Sequence, residues 1–574
     1  MTSSIPGTGP GAHGGVRGMA FDRRSSQFEG RFGRMFRSLP AATWSEAALK
    51  ALAGDGNQEN RMAAGPEVVE DSSPPRPTAA REDADDNGKP HTSRLHDDEE
   101  NAGIDAGYTY LGQLIDHDIT FDPASSLQGQ NDVDALVDFR TPRLDLDCLY
   151  GRGPADQPYM YSGDGRKFQL GRPLTEGVGG KIIAYDLPRH SWTEGKNEFH
   201  RALIGDKRND ENVIVSQLHS IFLRFHNRVA DDNRNLDFKD VQRLVRWHYQ
   251  YVVLHDFLPT IARTDVIDSV LPHLRSGRSI YNLPPVLRFY QPQNNNPFIP
   301  VEFSAAAYRF GHSMVRPIYR LNTKLGGTAA DKEQHIDGRQ FIFAGLKERG
   351  LNGFDSFPSI WGIDWNLFFD LTGDKNKARF GKDRTQPTYK IDTSLVNPLA
   401  FLPEFSEVKP STPSTPLTDV SQLQPPPKKG EIASLPLRNL LRGMSMGLPS
   451  GQDVAQLMGL TPLSDDVLRV GKATVKSEYL TLPKITDISP EFAHNAPLWY
   501  YVLAEAQHDW LLAGGEEATP VRLGEVGSRI VVETLVGLLL SDSHSVLRQA
   551  PAWTPKIGKG AKFDMPDFVK YAIT

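Results

Sequence analysis

A large, mainly α fold is what the sequence predicts, and three observations predict it. Apolar residues recur at steps of three and four in several long segments, no alternation of strands with helices is visible, and no repeat of fixed period divides the 574 residues. At about 100 to 200 residues per domain, the length allows several domains or one large one.

Residues 213–231, VIVSQLHSIFLRFHNRVAD, set Val215, Leu218, Phe222, Phe225 and Val229 on one stripe, which predicts a helix. Residues 240–262, 496–512 and 524–540 carry the same pattern, and Thr481 to Asn495 reads as a loop between helices. The first forty residues, rich in Gly, Ser and Arg, are expected to wrap the surface. Residues 64–105 are polar and acidic with almost no large apolar side chains, so burial cannot offset their ordering entropy and they read as a loose connection. Six prolines fall within the 26 residues of 405–430; proline removes donors and fixes φ, which predicts an inserted surface loop. The expected organisation is an N-terminal extension over 1–105, partly irregular or wrapping, and one large domain over 106–574 with a proline-rich insertion at 405–430.

Lys and Arg number 64 against 71 Asp and Glu, a net charge of −7, which argues against a nucleic-acid partner. The single cysteine, Cys148, excludes an intramolecular disulfide, a cysteine zinc site and a cysteine-ligated iron–sulfur cluster. The first twenty residues hold no apolar run, and the greasiest stretch, Ile530 to Leu540, is interrupted by Glu533. The expectation is a protein with no membrane span, cytoplasmic or exported without a cleavable signal peptide.

Polar residues concentrate in four places where a helical protein otherwise keeps them out. In GQLIDHDITFDP, residues 112–123, Gln113 and His117 are four apart and share a helix face, with Asp116 and Asp118 flanking the histidine. A single histidine on an apolar helix is ordinarily a satisfied core residue, but three titratable groups in a row are costly to bury without a partner. In TPRLDLDCLYG, residues 141–151, Thr141, Arg143, Asp145 and Asp147 alternate, so their side chains or carbonyls can converge on one side of an extended loop. An exposed edge strand reads the same way; oxygen donors at that spacing also suit Ca²⁺, which takes six to eight of them.

The third place, GDKRNDEN at 205–212, sets Arg208 among acids at a helix start, ordinarily a surface ion pair. The fourth, AAAYRFGHSMVRPIYRL at 305–321, sets His312 in an apolar helical stretch whose Phe310, Met314 and Val315 could line a flat hydrophobic ligand. Two histidines about two hundred residues apart, an arginine and a mainly α scaffold suggest haem held between helices, without thioether links because no C-x-x-C-H occurs. Peroxide chemistry uses each type: one imidazole binds iron, a second moves the hydroperoxide proton, and a guanidinium stabilises charge as the O–O bond breaks.

At these residues the sequence resembles the animal-type haem peroxidases of the peroxidase–cyclooxygenase superfamily, which includes myeloperoxidase and lactoperoxidase. The resemblance runs from about Ala106 to Met458 through several separated motifs in the same order. It implies a single large, mainly α haem peroxidase domain with haem between central helices and few short strands. His117 resembles the distal base, Gln113 the neighbour that orders water or a halide, Arg208 the distal arginine and His312 the proximal iron ligand. Asn439, in NLLRGMSMGLP, matches the asparagine that hydrogen-bonds the proximal imidazole, a bond that fixes ring orientation and makes the ligand more electron-donating. Arg309 and Arg442 match the arginines that pair with haem propionates. Asp118, Thr141, Arg143 through its carbonyl, Asp145 and Asp147 match a calcium site, with Asp147 standing where myeloperoxidase has a serine.

Asp116 and Glu211 match two acids that form esters with haem methyl groups in mammalian members, so the implied cofactors are Ca²⁺ and a haem b that can become ester-linked. Asn212 stands where myeloperoxidase has a methionine sulfonium link, which rules out that third bond and argues against strong chloride oxidation. The implied reaction is reduction of hydrogen peroxide through an oxoferryl intermediate, with halide, thiocyanate or small aromatic electron donors. Two other readings compete. A fatty-acid dioxygenase of the superfamily needs a radical tyrosine three residues before the proximal histidine, where this chain has Arg309 and Tyr308 lies one position off. A catalytically silent calcium-binding or adhesion homologue keeps only the fold. His219 and His226, seven apart on a helix face, read as packing residues, as do Trp247, His248 and Tyr249, and Cys148 reads as a small buried filler.

Overall fold

The computed structural model describes residues 30–58, 60–65, 99–122, 125–127, 129–190, 193–194, 197–198, 200–276, 279–292, 296–325, 339–346, 349–373, 383–409, 424–473, 476–515, 519–557 and 562–574. Residues 1–29 and 66–98, to which most of the wrapping and loose-connection expectations apply, and 410–423 of the proline-rich stretch lie outside the described residues.

The chain is mostly helical with few, short strands. Strand β1 (Gly30–Gly33) is the middle of a three-stranded sheet, antiparallel to β3 (Val137–Asp138) and parallel to β4 (Ile299–Pro300); β2 (Glu100–Asp105) pairs antiparallel with β5 (Pro387–Tyr389). The helices that position the site are α1 (Glu46–Ala53), α2 (Gly107–Ile119), α3 (Asp147–Tyr150), α4 (Val213–Asp232), α5 (Phe238–Val252), α6 (Leu435–Ser445), α7 (Leu498–Leu512), α8 (Glu525–Ser541) and α9 (Met565–Ile573). Several residues between 30 and 58 contribute to the core: Phe32 and Phe36 are buried, and α1, capped by Ser45 accepting from the Ala48 N–H, buries Leu49 and Leu52.

Helix α4 follows the predicted stripe, with Val215, Leu218, Phe222, Phe225 and Val229 all buried. Its start is set by Asn212, whose side chain accepts from the N–H groups of Ile214 and Val215. Helix α9 closes over the other side, stacking Phe568 on Phe225 with ring centroids 3.7 Å apart. The segment expected as one helix over 240–262 is interrupted by a π-helical turn at Val253–Phe257. That turn carries Asp256, which accepts from the Tyr108 hydroxyl at 2.8 Å and the Met565 N–H at 2.7 Å, so it ties the first turn of α2 to the start of α9.

Glu533, which breaks the apolar run of α8, is fully buried and accepts from the N–H groups of Arg288, Phe289 and Tyr290. A buried carboxylate with three donors is a structural clasp, and among the described residues no helix is long and apolar enough to cross a membrane. The span from Thr481 to Asn495, expected as loop, contains the short helix Ile485–Ile488 and a 3₁₀ turn at Pro490–Phe492; Asp487 and Pro490 supply the local start signals that a purely apolar periodicity overlooks.

Candidate functional site

A cavity of about 1160 Å³ lies between α2, the turn before α4, the segment 304–315 and α6. Gln113, Asp116, His117, Arg208, Glu211, Arg309, His312 and Arg442 line it together, and Asn439 reaches it through His312. Gly107 opens α2 where a Cβ would overlap the Phe369 ring at 2.3 Å, so only glycine lets this helix approach so closely.

His117 is 4 % exposed, and burial first, with the charge of Arg208 second, pushes its pKa down to about 3. It is therefore neutral across the ordinary pH range, as a proton acceptor must be. Its Nδ1 lies 2.8 Å from Oδ1 of Asn209, whose Nδ2 lies 3.0 Å from Nδ1 of His219. His219 is thus not merely a packing residue. Nothing in the sequence marks Asn209, because a lone asparagine in a polar turn has no spacing signature.

Arg208 sits in a 3₁₀ turn, Lys207–Asp210, capped by Asp206, rather than in the surface ion pair its local sequence suggests. Its guanidinium binds Asp206 at 2.8 Å and donates to the carbonyls of Thr120 at 2.5 Å and His117 at 3.2 Å. Asp206 also accepts from Arg140 at 2.9 Å, and Arg140 lies 3.6 Å from Asp147. Burial works against the Asp206 anion, but the two arginines hold its pKa below the usual carboxylate range. Gln113 donates to Glu211 and accepts from Asn212, so those three residues form one hydrogen-bonded set. Glu211 is raised to about 7, chiefly by burial, and Asp116, which accepts from the Thr120 hydroxyl at 3.0 Å, is raised for the same reason.

His312 ends a 3₁₀ segment, Ala307–His312, instead of lying inside an α-helix. At three residues per turn Arg309 and His312 share one side, and both meet Asn439: Arg309 donates to its Oδ1 at 2.5 Å, and its Nδ2 lies 2.8 Å from Nδ1 of His312. The sense of this bond differs from the one that would enrich the imidazole. Because Arg309 occupies the amide oxygen, the amide nitrogen donates and Nδ1 of His312 accepts. Tyr308, on another side of the turn, donates its hydroxyl to the carbonyl of Gly112 at 3.2 Å. Arg442 pairs with Asp122 at 3.1 Å. Burial, with the charges of Arg442 and Arg438, lowers Arg309 to about 10, an imbalance that carboxylates brought into the cavity would relieve.

Behind α2, Asp118, Asp145 and Asp147 bring carboxylate oxygens within 4.8 Å of one another. Both oxygens of Asp118 and one of Asp147 make no hydrogen bond among the described residues; the Leu146 backbone and the Tyr249 hydroxyl face Asp118 without reaching bonding geometry. Burial first, and then the charge of neighbouring aspartates, push these carboxyls up, Asp147 to about 7; for Asp145 that neighbour is Asp542. Thr141 donates its hydroxyl to Asp145 at 2.9 Å, and the Arg143 guanidinium lies 3.6 Å from Asp542. Leu146 adopts φ +58°, the left-handed turn that swings Asp147 inward where an extended loop was expected. Buried, orphaned carboxylates of this kind fit a hard divalent cation. Cys148 is buried beside them.

Residues 134–357 match the family model of the animal haem peroxidases. It is similar to heme peroxidase 2 of Caenorhabditis elegans, 24% identical over 353 residues that cover 49% of this chain and 47% of that protein. It is also similar to human eosinophil peroxidase, 26% identical over 170 residues that cover 28% of this chain and 21% of that protein. The chain thus spans less than half the length of either relative. Among solved structures, peroxidase A from Dictyostelium discoideum superimposes with a TM-score of 0.47 at 16% identity, covering 78% of this chain and 80% of that one. A fatty acid α-dioxygenase from Arabidopsis thaliana gives 0.44 at 12%, covering 83% and 70%.

Proposed function

We propose that this chain is a haem-dependent peroxidase that reduces hydrogen peroxide with electrons from halide, thiocyanate or small aromatic donors. The observation that carries the reading is one cavity lined by two neutral imidazoles on different elements, the buried His117 on α2 and the half-buried His312 on the 3₁₀ segment. In this reading the catalytic domain runs from 106 to 574, with 1–105 as an extension. Haem b, when bound, supplies the iron that exchanges electrons with peroxide. His312 would ligate it, and Arg309, lowered by burial and by its arginine neighbours, and Arg442, which pairs with Asp122 at the cavity wall, would take its carboxylates. Were a carboxylate of the haem to draw Arg309 away and the Asn439 amide to turn over, its oxygen would accept from Nδ1 of His312, the sense of bond that makes a ligating imidazole more electron-donating.

His117 receives the proton of the incoming hydroperoxide and returns it to the departing oxygen. Arg208 is held by Asp206 against the carbonyls of His117 and Thr120 at the end of α2, so its charge acts on that proton transfer from a fixed place. Gln113 orders the small molecules beside the base. Calcium bound by Asp118, Asp145, Asp147, Thr141 and the Arg143 carbonyl would anchor α2 from outside, next to His117. Asp116 and Glu211 face the cavity as protonatable carboxyls that suit ester links to the haem.

The test is an absorption spectrum of the full chain expressed with haem, before and after peroxide. A Soret band that shifts on peroxide and returns on addition of bromide or guaiacol is expected. A colourless protein refutes the reading, a Soret band without donor oxidation favours the silent homologue, and oxygen uptake with linoleate in the absence of peroxide favours the dioxygenase. Acid–acetone extraction after peroxide turnover should leave haem on the protein, and full release of haem b would exclude the ester links.

A further inference from the structure

His117, Asn209 and His219 form a chain of three side chains, all buried, running from the cavity wall on α2 through the 3₁₀ turn to the interior face of α4. A neutral imidazole carries one proton, on either Nδ1 or Nε2, and inside a protein the hydrogen-bond partners of the two nitrogens select which. Only the form protonated on Nδ1 leaves a lone pair on Nε2. Here Nδ1 of His117 faces a group that can only accept, Oδ1 of Asn209, at 2.8 Å. The proton must therefore sit on Nδ1.

We propose that Asn209 is a positioning residue that holds His117 in the Nδ1–H form, so that Nε2 is kept as the acceptor. The inference rests on the peroxidase reading for its use, although the tautomer itself belongs to the protein alone. The amide is held from its other end. Nδ2 of Asn209 can only donate, so Nδ1 of His219 accepts and the proton of His219 sits on Nε2, which has no partner among the described residues. Turning the amide over would oblige both histidines to exchange tautomers at once. Asn209 and His219 are both 0 % exposed, out of reach of bulk solvent, and hydrogen bonds in such a setting are stronger than in water. A misplaced imidazole proton is a severe fault in proton-transfer catalysis: losing the group that orients a catalytic histidine costs about 10⁴ in rate in serine proteases.

The experiment reads the tautomer directly. The full chain, labelled with ¹⁵N-histidine and purified without haem, is examined by NMR, the His117 signals being assigned by their loss in His117→Gln. Ring-nitrogen shifts of the Nδ1–H form are expected in the wild type; the Nε2–H form there overturns the proposal without recourse to any variant. In Asn209→Ala, with folding checked by circular dichroism, the Nε2–H form should gain population, and in Asn209→Asp, which keeps an acceptor, Nδ1–H should persist. Unchanged shifts in Asn209→Ala overturn it. In the haem-loaded protein Asn209→Ala should slow the reaction with peroxide about 10- to 100-fold while the KM for the electron donor stays put, and Asn209→Asp should recover most of the loss. A loaded wild type inert to peroxide would remove the peroxidase reading while leaving the tautomer result standing, so the two failures are distinguishable.

Discussion

The carboxylate of Asp206 holds the guanidinium of Arg208 at 2.8 Å, with Asp206 1 % exposed and a second arginine, Arg140, on the same carboxylate at 2.9 Å. One acid thus connects the turn that bears Arg208 to the segment that bears Arg140, which in turn lies 3.6 Å from Asp147. Removing its charge leaves two partly buried cations facing each other. Asp206→Asn is expected to lower unfolding stability by about 3–5 kcal/mol, the usual cost of breaking a buried pair from one side, as read from urea midpoints. An unchanged midpoint would show that the carboxylate does not hold this turn.

The clustered carboxylates of Asp118, Asp145 and Asp147, with both oxygens of Asp118 and one of Asp147 making no hydrogen bond among the described residues, make metal removal informative. Chelation with EGTA is expected to lower the thermal midpoint of the full chain, and Ca²⁺ to restore it in a concentration-dependent way, since a ligand that binds only the folded state stabilises it. Asp118→Ala should abolish that response. A calcium-free protein with the same melting curve as a calcium-loaded one would exclude a structural ion at this cluster.

His312→Ala is expected to abolish the Soret band of protein expressed with haem or displace it to that of loosely held haem, whereas His117→Ala should retain the band. His117→Ala should instead slow the peroxide step about 10² to 10⁴-fold, the span for a positioned acid–base group, as measured by rapid mixing. Equal loss of the band in both variants would contradict the separate roles proposed for the two imidazoles.

Stability should depend on pH through Glu505, which lies fully within the core and accepts from the N–H groups of Val526 and Gly527 at the start of α8. Burial, and then the charge of Asp509, raise its pKa from 4.5 to about 8. The folded state keeps this proton where the unfolded chain has released it, so the contribution is complete below about pH 4.5 and is lost as the pH climbs to about 8. Glu505→Gln cannot ionise and should show a shallower fall in stability over that window, by a few kcal/mol at most. Parallel pH profiles for the two proteins, measured by denaturant unfolding, would rule the effect out.

Much of the helical frame is legible in the chain itself, because burying one face imposes its period on the sequence: Val215, Leu218, Phe222, Phe225 and Val229 mark α4 without reference to anything distant. The clusters around His117, Arg208 and His312 are legible for a related reason, since polar residues among apolar neighbours are conspicuous. The π turn at Val253–Phe257 is not, because its purpose, to meet Tyr108 and Met565 through Asp256, lies in segments far away in sequence.

What the amino-acid sequence alone determined was the fold class, the want of any disulfide with Cys148 as the lone thiol, and which imidazoles, guanidinia and carboxylates were candidates for chemistry. Only the tertiary structure decided which of them meet. It put His117 and His312 on one cavity, paired Arg208 with Asp206, let Arg309 take the oxygen of Asn439, and ran a chain from His117 through Asn209 to His219. The physical reason is range: helical periodicity is written within a few residues, whereas hydrogen-bond partners and the loss of solvent around them are set by contacts between segments that only the folded chain brings together.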